Sequence, residues 1–144
     1  MNRCLKKILL ATDGSDASEK ATTIAIGLAQ EQKAELLIVH VVDLYAMYFA
    51  TPESIEFLVS SGQNILNLIE KRAQKVGVVT HTKRLQTDEG GNHIGELVLG
   101  ESAAWEADLL VVGSHGRRGL NHFLIGSVAD WICQRARIPV LLAR

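Results

Sequence analysis

Apolar residues along this chain fall into two alternating patterns, short solid runs and longer stretches of helical period. Lys6 to Thr12 (KKILLAT), Glu35 to Val42 (ELLIVHVV) and Leu109 to Val112 (LLVV) are nearly unbroken apolar runs, the pattern of strands buried on both faces. Pro139 to Ala143 (PVLLA) reads as a further short strand. Val78 to Leu85 alternates instead and carries His81, Lys83 and Arg84, as an edge strand would. Between the runs the period becomes helical. Asp16 and Glu19, spaced as in a capping box, precede a helix reaching about Gln32, with Ala17, Ala21, Ile24, Leu28 and Ala29 on one face. Thr51-Pro52 reads as a cap with proline in the first turn of a helix to about Val76. Its apolar stripe is Ile55, Leu58, Val59, Ile65, Leu66, Ile69 and Ala73. Gly90-Gly91-Asn92 reads as a turn and cap for a helix to Trp105, with Ile94, Leu97, Val98 and Trp105 inward. Ser127 to Arg137 is a fourth helix, with Ala129, Ile132, Cys133 and Ala136 inward.

Strands alternating with helices predict a doubly wound α/β fold, a parallel sheet covered on both faces through right-handed crossovers. No internal repeat, low-complexity segment or linker interrupts it, so residues 1–144 are expected to form one domain. In such sheets ligands sit beyond the strand C-termini at the switch point. That directs attention to Thr12-Asp13-Gly14-Ser15, to Val41-Val42-Asp43 and to the stretch from Leu109 to Ala129.

The last stretch carries the chemistry. A buried strand leads into Gly113 and Gly116, and after nine intervening residues Gly126 and Ser127 open an amphipathic segment. Glycines let backbone N–H groups approach an oxyanion, and a helix N-terminus adds unpaired donors and a favourable dipole. The pattern is G-x2-G-x9-G-S. It is neither the GxxxxGK[ST] loop, with its lysine and magnesium hydroxyl, nor GxGxxG. Spaced glycines alone fit a ligand loop and a structural turn equally well.

Composition narrows the partners. A 47% hydrophobic, 22% charged chain of net charge −1 has no electrostatic reason to bind nucleic acid or a membrane surface. No apolar run approaches the roughly 18 residues of a membrane span. The basic, then apolar N-terminus is too short in its apolar part for a secretory signal and leads into Asp13 without a cleavage-site context, so a cytoplasmic protein is expected. Cys4 and Cys133 read as reduced thiols, and the five histidines lack the companions of a structural zinc site.

KILLATDGS, LLIVHVVD, GSHGRRG, FLIGSVAD and IPVLLAR together resemble the universal stress protein family over essentially the whole chain. G-x2-G-x9-G-[ST] is the motif of its ATP-binding branch, and Gly113, Gly116, Gly126 and Ser127 keep all four marked positions. The resemblance implies a Rossmann-like, three-layer α/β/α fold with a five-stranded parallel sheet in the order 3-2-1-4-5 and four helices. It also implies ATP, ADP or AMP in the crevice, with magnesium entering through the phosphates, and a homodimer. By that resemblance, Asp13 contacts the ribose or the metal-bound phosphate region. Val41 pairs its backbone with the adenine edge, beside Ala11 and Thr12. Val112, Gly113, His115 and Gly116 wrap the ribose and phosphates, with Arg117 on a phosphate. Gly126, Ser127 and Val128 hold the phosphates. Many relatives have proline where this chain has Ala11, a change expected to affect strand geometry more than binding.

Each residue also has a plainer reading. Ser127 and Asp130 form an S-x-x-D capping box, so Ser127 can cap the helix, with or without holding phosphate. Asp13 can cap the first helix or accept donors of its own turn. Arg117 and Arg118 can be solvated, His115 can bond within its loop, and His122 reads as polar surface. Tyr45 to Phe49 is either a flap over the base or a partner surface. The expected site offers Asp13, an arginine and Asp43 but no water-orienting group, so a binding or sensing module is preferred to an efficient hydrolase. A slow magnesium-dependent ATP hydrolase and a nucleotide-free interaction protein are the alternatives. The short apolar strand from Pro139 to Arg144 is expected at a sheet edge, where it would pair with a copy of itself.

Overall fold

Five parallel strands form one sheet in the order β3-β2-β1-β4-β5, the order that the family resemblance implies. They are β1 (Lys7–Ala11), β2 (Glu35–Val42), β3 (Thr80–Gln86), β4 (Leu109–Gly113) and β5 (Val140–Ala143). Among the described residues four helices connect them: α1 (Glu19–Gln32), α2 (Pro52–Lys75), α3 (Ile94–Trp105) and α4 (Ser127–Arg135). This computed structural model describes residues 4–44, 51–87, 93–115 and 125–144.

The solid apolar runs are explained by burial on both faces. Along β1, Ile8 and Leu10 face a cluster with Ala21 and Ala25 of α1 and Leu66 and Ala73 of α2. Leu9 faces the opposite cluster with Val98 of α3 and Ala129 and Ile132 of α4. Two helices therefore cover each face of a sheet whose central strand is shielded from water, the environment that stabilises such runs most. At the β3 edge exposed polar side chains find local partners. His81 bonds Glu35 at 2.9 Å and Lys83 bonds Glu101 at 2.9 Å.

Several local expectations are corrected. No capping box forms from Asp16 and Glu19, because Asp16–Ser18 is a 3-10 turn and α1 starts after it. The Ser18 hydroxyl donates to Ser15 O at 2.8 Å instead of capping the helix. The buried face of α1 is consequently Ala21, Thr22, Ala25, Ile26 and Ala29, while Ala17 and Ile24 are exposed. Thr22 tolerates burial because its hydroxyl donates to Ser18 O at 3.2 Å. At α2 the Thr51 side chain accepts from Ser54 N, as the Thr51-Pro52 cap predicts. The cap of α3 is His93, whose Nδ1 accepts from Gly95 N at 3.0 Å; the Gly90-Gly91-Asn92 turn lies outside the described residues. The Ser127–Asp130 capping box is not formed either. Gly126 is the N-cap of α4, and the Asp130 carboxylate accepts from Gln134 Nε2 at 2.9 Å. Cys133 is exposed, because Ala129 and Ile132 set the inward face of α4. Trp131, half-buried, stacks on the His93 ring at 4.9 Å.

Candidate functional site

From β1 the chain winds outward through β2 and β3, then crosses back to β4 and β5. The switch point therefore lies between β1 and β4, and the crevice opens beyond their C-terminal ends. There Ala11 is level with Val39 of β2 and Val112 of β4. The following turn is heavily bonded. Thr12 N–H donates to Val39 O at 3.0 Å, and the buried Thr12 Oγ1 accepts from Gly14 N at 3.1 Å and pairs with Ser18 Oγ at 3.0 Å. Asp13 Oδ1 accepts from Ser15 N at 2.9 Å and from Ser15 Oγ at 2.5 Å. Of the plainer readings for Asp13, the turn acceptor is thus realised. Gly14 has φ +76°, and a Cβ there would lie 2.6 Å from Ile65 Cδ1 of α2, so the fold itself requires this glycine.

At the end of β2, Val41 is half-buried and registers with Leu85 of β3. His40, only 7% exposed, bonds the Thr12 carbonyl through Nδ1 at 2.9 Å. Asp43 accepts from Thr87 Oγ1 at 2.9 Å, which ties it to the end of β3.

The end of β4 presents Gly113, Ser114 and His115. A Cβ on Gly113 would lie 3.5 Å from both Ala17 O and Ser18 Cα, so this residue backs onto the 3-10 turn and brings β4 against the Asp13 loop. Ser114, 2% exposed, donates its N–H to Ala143 O at 2.7 Å. Its carbonyl accepts from Gly126 N, and its hydroxyl bonds His115 Nδ1 at 2.9 Å. His115 therefore does bond within its loop, through one nitrogen. The other, Nε2, is buried without a hydrogen-bond partner among the described residues.

Gly126, Ser127 and Val128 open α4, and no side chain caps this helix end. The first-turn N–H groups of α4 consequently lack the side-chain acceptor that α2 and α3 each have. The fold thus joins Ala11, Thr12, Asp13, Val112, Gly113 and His115 across β1 and β4, and links Gly126, Ser127 and Val128 to them through Ser114. Val41 stands one strand away. Gly116, Arg117, Arg118, His122 and the Tyr45 to Phe49 cluster lie outside the described residues. Among the described residues, no three His, Cys, Asp or Glu side chains form a metal-binding group. Two residues escaped the sequence reading. His40 had one available signal, a histidine inside an otherwise apolar strand; Ser114 had none beyond its place between Gly113 and His115.

A model of the universal stress protein family matches residues 5–144. The chain belongs to the universal stress protein family. Universal stress protein MJ0531 of Methanocaldococcus jannaschii is 36% identical over 144 residues, covering 96% of this chain and 82% of the relative. Among solved structures, the hypothetical protein MJ0577 superposes with a TM-score of 0.86 at 24% identity, covering 98% of this chain and 96% of that one. A universal stress protein solved in complex with cAMP gives a TM-score of 0.70 at 23% identity, covering 99% and 98%. The universal stress protein of Archaeoglobus fulgidus in complex with dAMP gives 0.70 at 19% identity, covering 99% and 100%. At these identities the structural likenesses show the shared universal stress protein fold. Among the described residues, no helix is long and apolar enough to cross a membrane.

Proposed function

We propose that this chain, as a single domain over residues 1–144, binds an adenine nucleotide in the crevice between the ends of β1 and β4. ATP, ADP and AMP are the candidate ligands. The observation that carries the reading is His115 Nε2, a buried polar atom left without a partner among the described residues at the switch point. Leaving such an atom unmade costs about 1–3 kcal/mol, which a ligand oxygen or nitrogen would offset. The uncapped N-terminus of α4 supplies donors and a favourable dipole for phosphate beside it. Gly126 has φ −62°, a conformation open to any residue, so its missing side chain is not a demand of the backbone. A missing side chain there suits the approach of a phosphate to the first-turn N–H groups. Two proteins of this fold are held in complex with cAMP and dAMP, which supports the adenine class.

In this reading Asp13, Val41 and the Gly113–His115 segment surround the base and sugar, and Gly126, Ser127 and Val128 hold the phosphates. The protein acts as a cytoplasmic sensor or regulatory module in the stress response, its state set by which nucleotide occupies the crevice. It works as a homodimer through β5, an edge strand whose Val140, Leu141 and Leu142 are only half-buried. The deciding experiment is identification by mass of small molecules released on denaturing fresh protein, followed by calorimetric titration with ATP, ADP and AMP. Release of adenine nucleotide, or saturable one-to-one binding, is expected. Neither release nor binding at millimolar nucleotide would overturn the reading.

A further inference from the structure

The β1–β2 ladder stops at the crevice in an unusual way. In a parallel pair, alternate residues of one strand bond to the same neighbour. Glu35 N–H donates to Lys6 O and Thr12 N–H donates to Val39 O, so odd-numbered residues of β2 face β1. The next rung of that ladder would run from Val41 N–H to Thr12 O. The Thr12 carbonyl instead accepts from His40 Nδ1 at 2.9 Å. A carbonyl only accepts, so the imidazole carries its proton on Nδ1. The ring is also wedged. A Cβ on Gly62 of α2 would lie 2.7 Å from His40 Cδ2 and 3.2 Å from Nε2, so the imidazole lies against the helix backbone.

We propose that His40 is a positioning residue for the nucleotide, holding the Thr12–Asp13 peptide in place and keeping the backbone edge of Val41 open to the crevice. By engaging the Thr12 carbonyl, the imidazole orients the peptide plane that leads into Asp13. Asp13 is then held by Ser15 N and Oγ at 2.9 and 2.5 Å. The same bond engages one of the two lone pairs of the carbonyl that Val41 N–H would otherwise meet, and Val41 N–H is not bonded to it. Because the ring rests on Gly62, the position of α2 is passed to both residues. This inference rests on the nucleotide reading above, so its test has a readout that needs no nucleotide.

The comparison is between His40→Leu, which keeps bulk and removes the donor, and His40→Asn, whose Nδ2 can donate to the same carbonyl. AMP affinity is measured by calorimetry, and the Asp13 and Val41 amide resonances are followed in nucleotide-free protein. His40→Leu is expected to weaken AMP about tenfold and to move both resonances. His40→Asn is expected to return affinity to within about threefold of wild type and to restore the resonances. Leucine and asparagine variants equally impaired, or a leucine variant indistinguishable from wild type, would overturn the proposal. If His40→Leu does not fold, Gly62→Ala presses on the ring from α2 and must move the same two resonances; unmoved resonances would overturn it equally. Wild-type protein that binds no AMP sinks the nucleotide reading alone, and the two resonances still decide whether His40 sets the turn.

Discussion

Ser114 O accepts the backbone N–H of Gly126 at 2.5 Å, a bond that fastens the N-terminus of α4 to the end of β4. Ser114 N–H is in turn given to Ala143 O at 2.7 Å. One buried residue thus connects the helix end proposed to hold phosphate with the last residue of the edge strand. The position of this helix end is set by backbone bonds, so it is expected to survive changes of side chain at Gly126.

Gly126→Val tests that point directly. With φ −62° and ψ 154°, position 126 accepts a β-branched residue without backbone strain. The variant is expected to fold like wild type and to lose detectable nucleotide binding, since its methyl groups would stand where phosphate approaches the first-turn N–H groups. Circular dichroism and calorimetric titration check the two halves. A variant that binds as well as wild type would sink the phosphate assignment.

His115→Asn isolates the orphaned nitrogen. An asparagine amide can keep a bond to Ser114 Oγ, as Nδ1 does at 2.9 Å, while the buried Nε2 is removed. Stability in urea is expected to stay the same or rise slightly, because an unsatisfied buried group is deleted. Nucleotide affinity is expected to fall about tenfold. A fall in stability with unchanged affinity would give Nε2 a purely structural role.

Strand existence was readable wherever burial on both faces forces a solid apolar run, and β2 matches its expected limits of Glu35 and Val42 residue for residue. The Thr51-Pro52 helix start was equally legible, since cap and fixed φ reinforce one another. Helix phase was harder. The buried face of α1 includes Thr22, which satisfies its hydroxyl inside the helix and so behaves as an apolar residue. Ile24 looks like core in the sequence and is exposed. Capping boxes misled twice, at Asp16–Glu19 and Ser127–Asp130, because spacing alone cannot show where the first turn begins. At the crevice, the placing of Asp13, Val41 and the Gly113–His115 segment at strand ends was legible. The His40 bond to Thr12 was not, since it spans 28 residues and depends on strand adjacency.

The edge strand offers a third test. Pro139 O and Ala143 O both face β4, accepting from Leu110 N and Ser114 N, so the N–H groups of Val140 and Leu142 point outward. Val140→Pro removes one outward donor without breaking the β4 ladder, a substitution edge strands tolerate. If the homodimer forms by strand pairing through β5, this variant is expected to sediment as a monomer at concentrations where wild type is dimeric. A variant that stays dimeric would place the interface elsewhere.

Gly14→Ala should behave oppositely to Gly126→Val, because at position 14 the fold is what needs glycine. The φ of +76° strains any side chain, and a Cβ would meet Ile65 Cδ1 at 2.6 Å and Cγ1 at 2.7 Å. Ile65 sits in the middle of α2, so relief requires the helix or the turn to shift. A destabilisation of about 1–3 kcal/mol is expected from strain and overpacking together. The turn that shifts carries Asp13, whose carboxylate is bonded to Ser15 one residue beyond Gly14. Nucleotide affinity should therefore fall as well, and by less than in Gly126→Val. Urea denaturation and calorimetry on both variants give the comparison. Gly126→Val losing binding with its stability intact, while Gly14→Ala loses stability first, would separate the glycine that serves the ligand from the glycine that serves the chain.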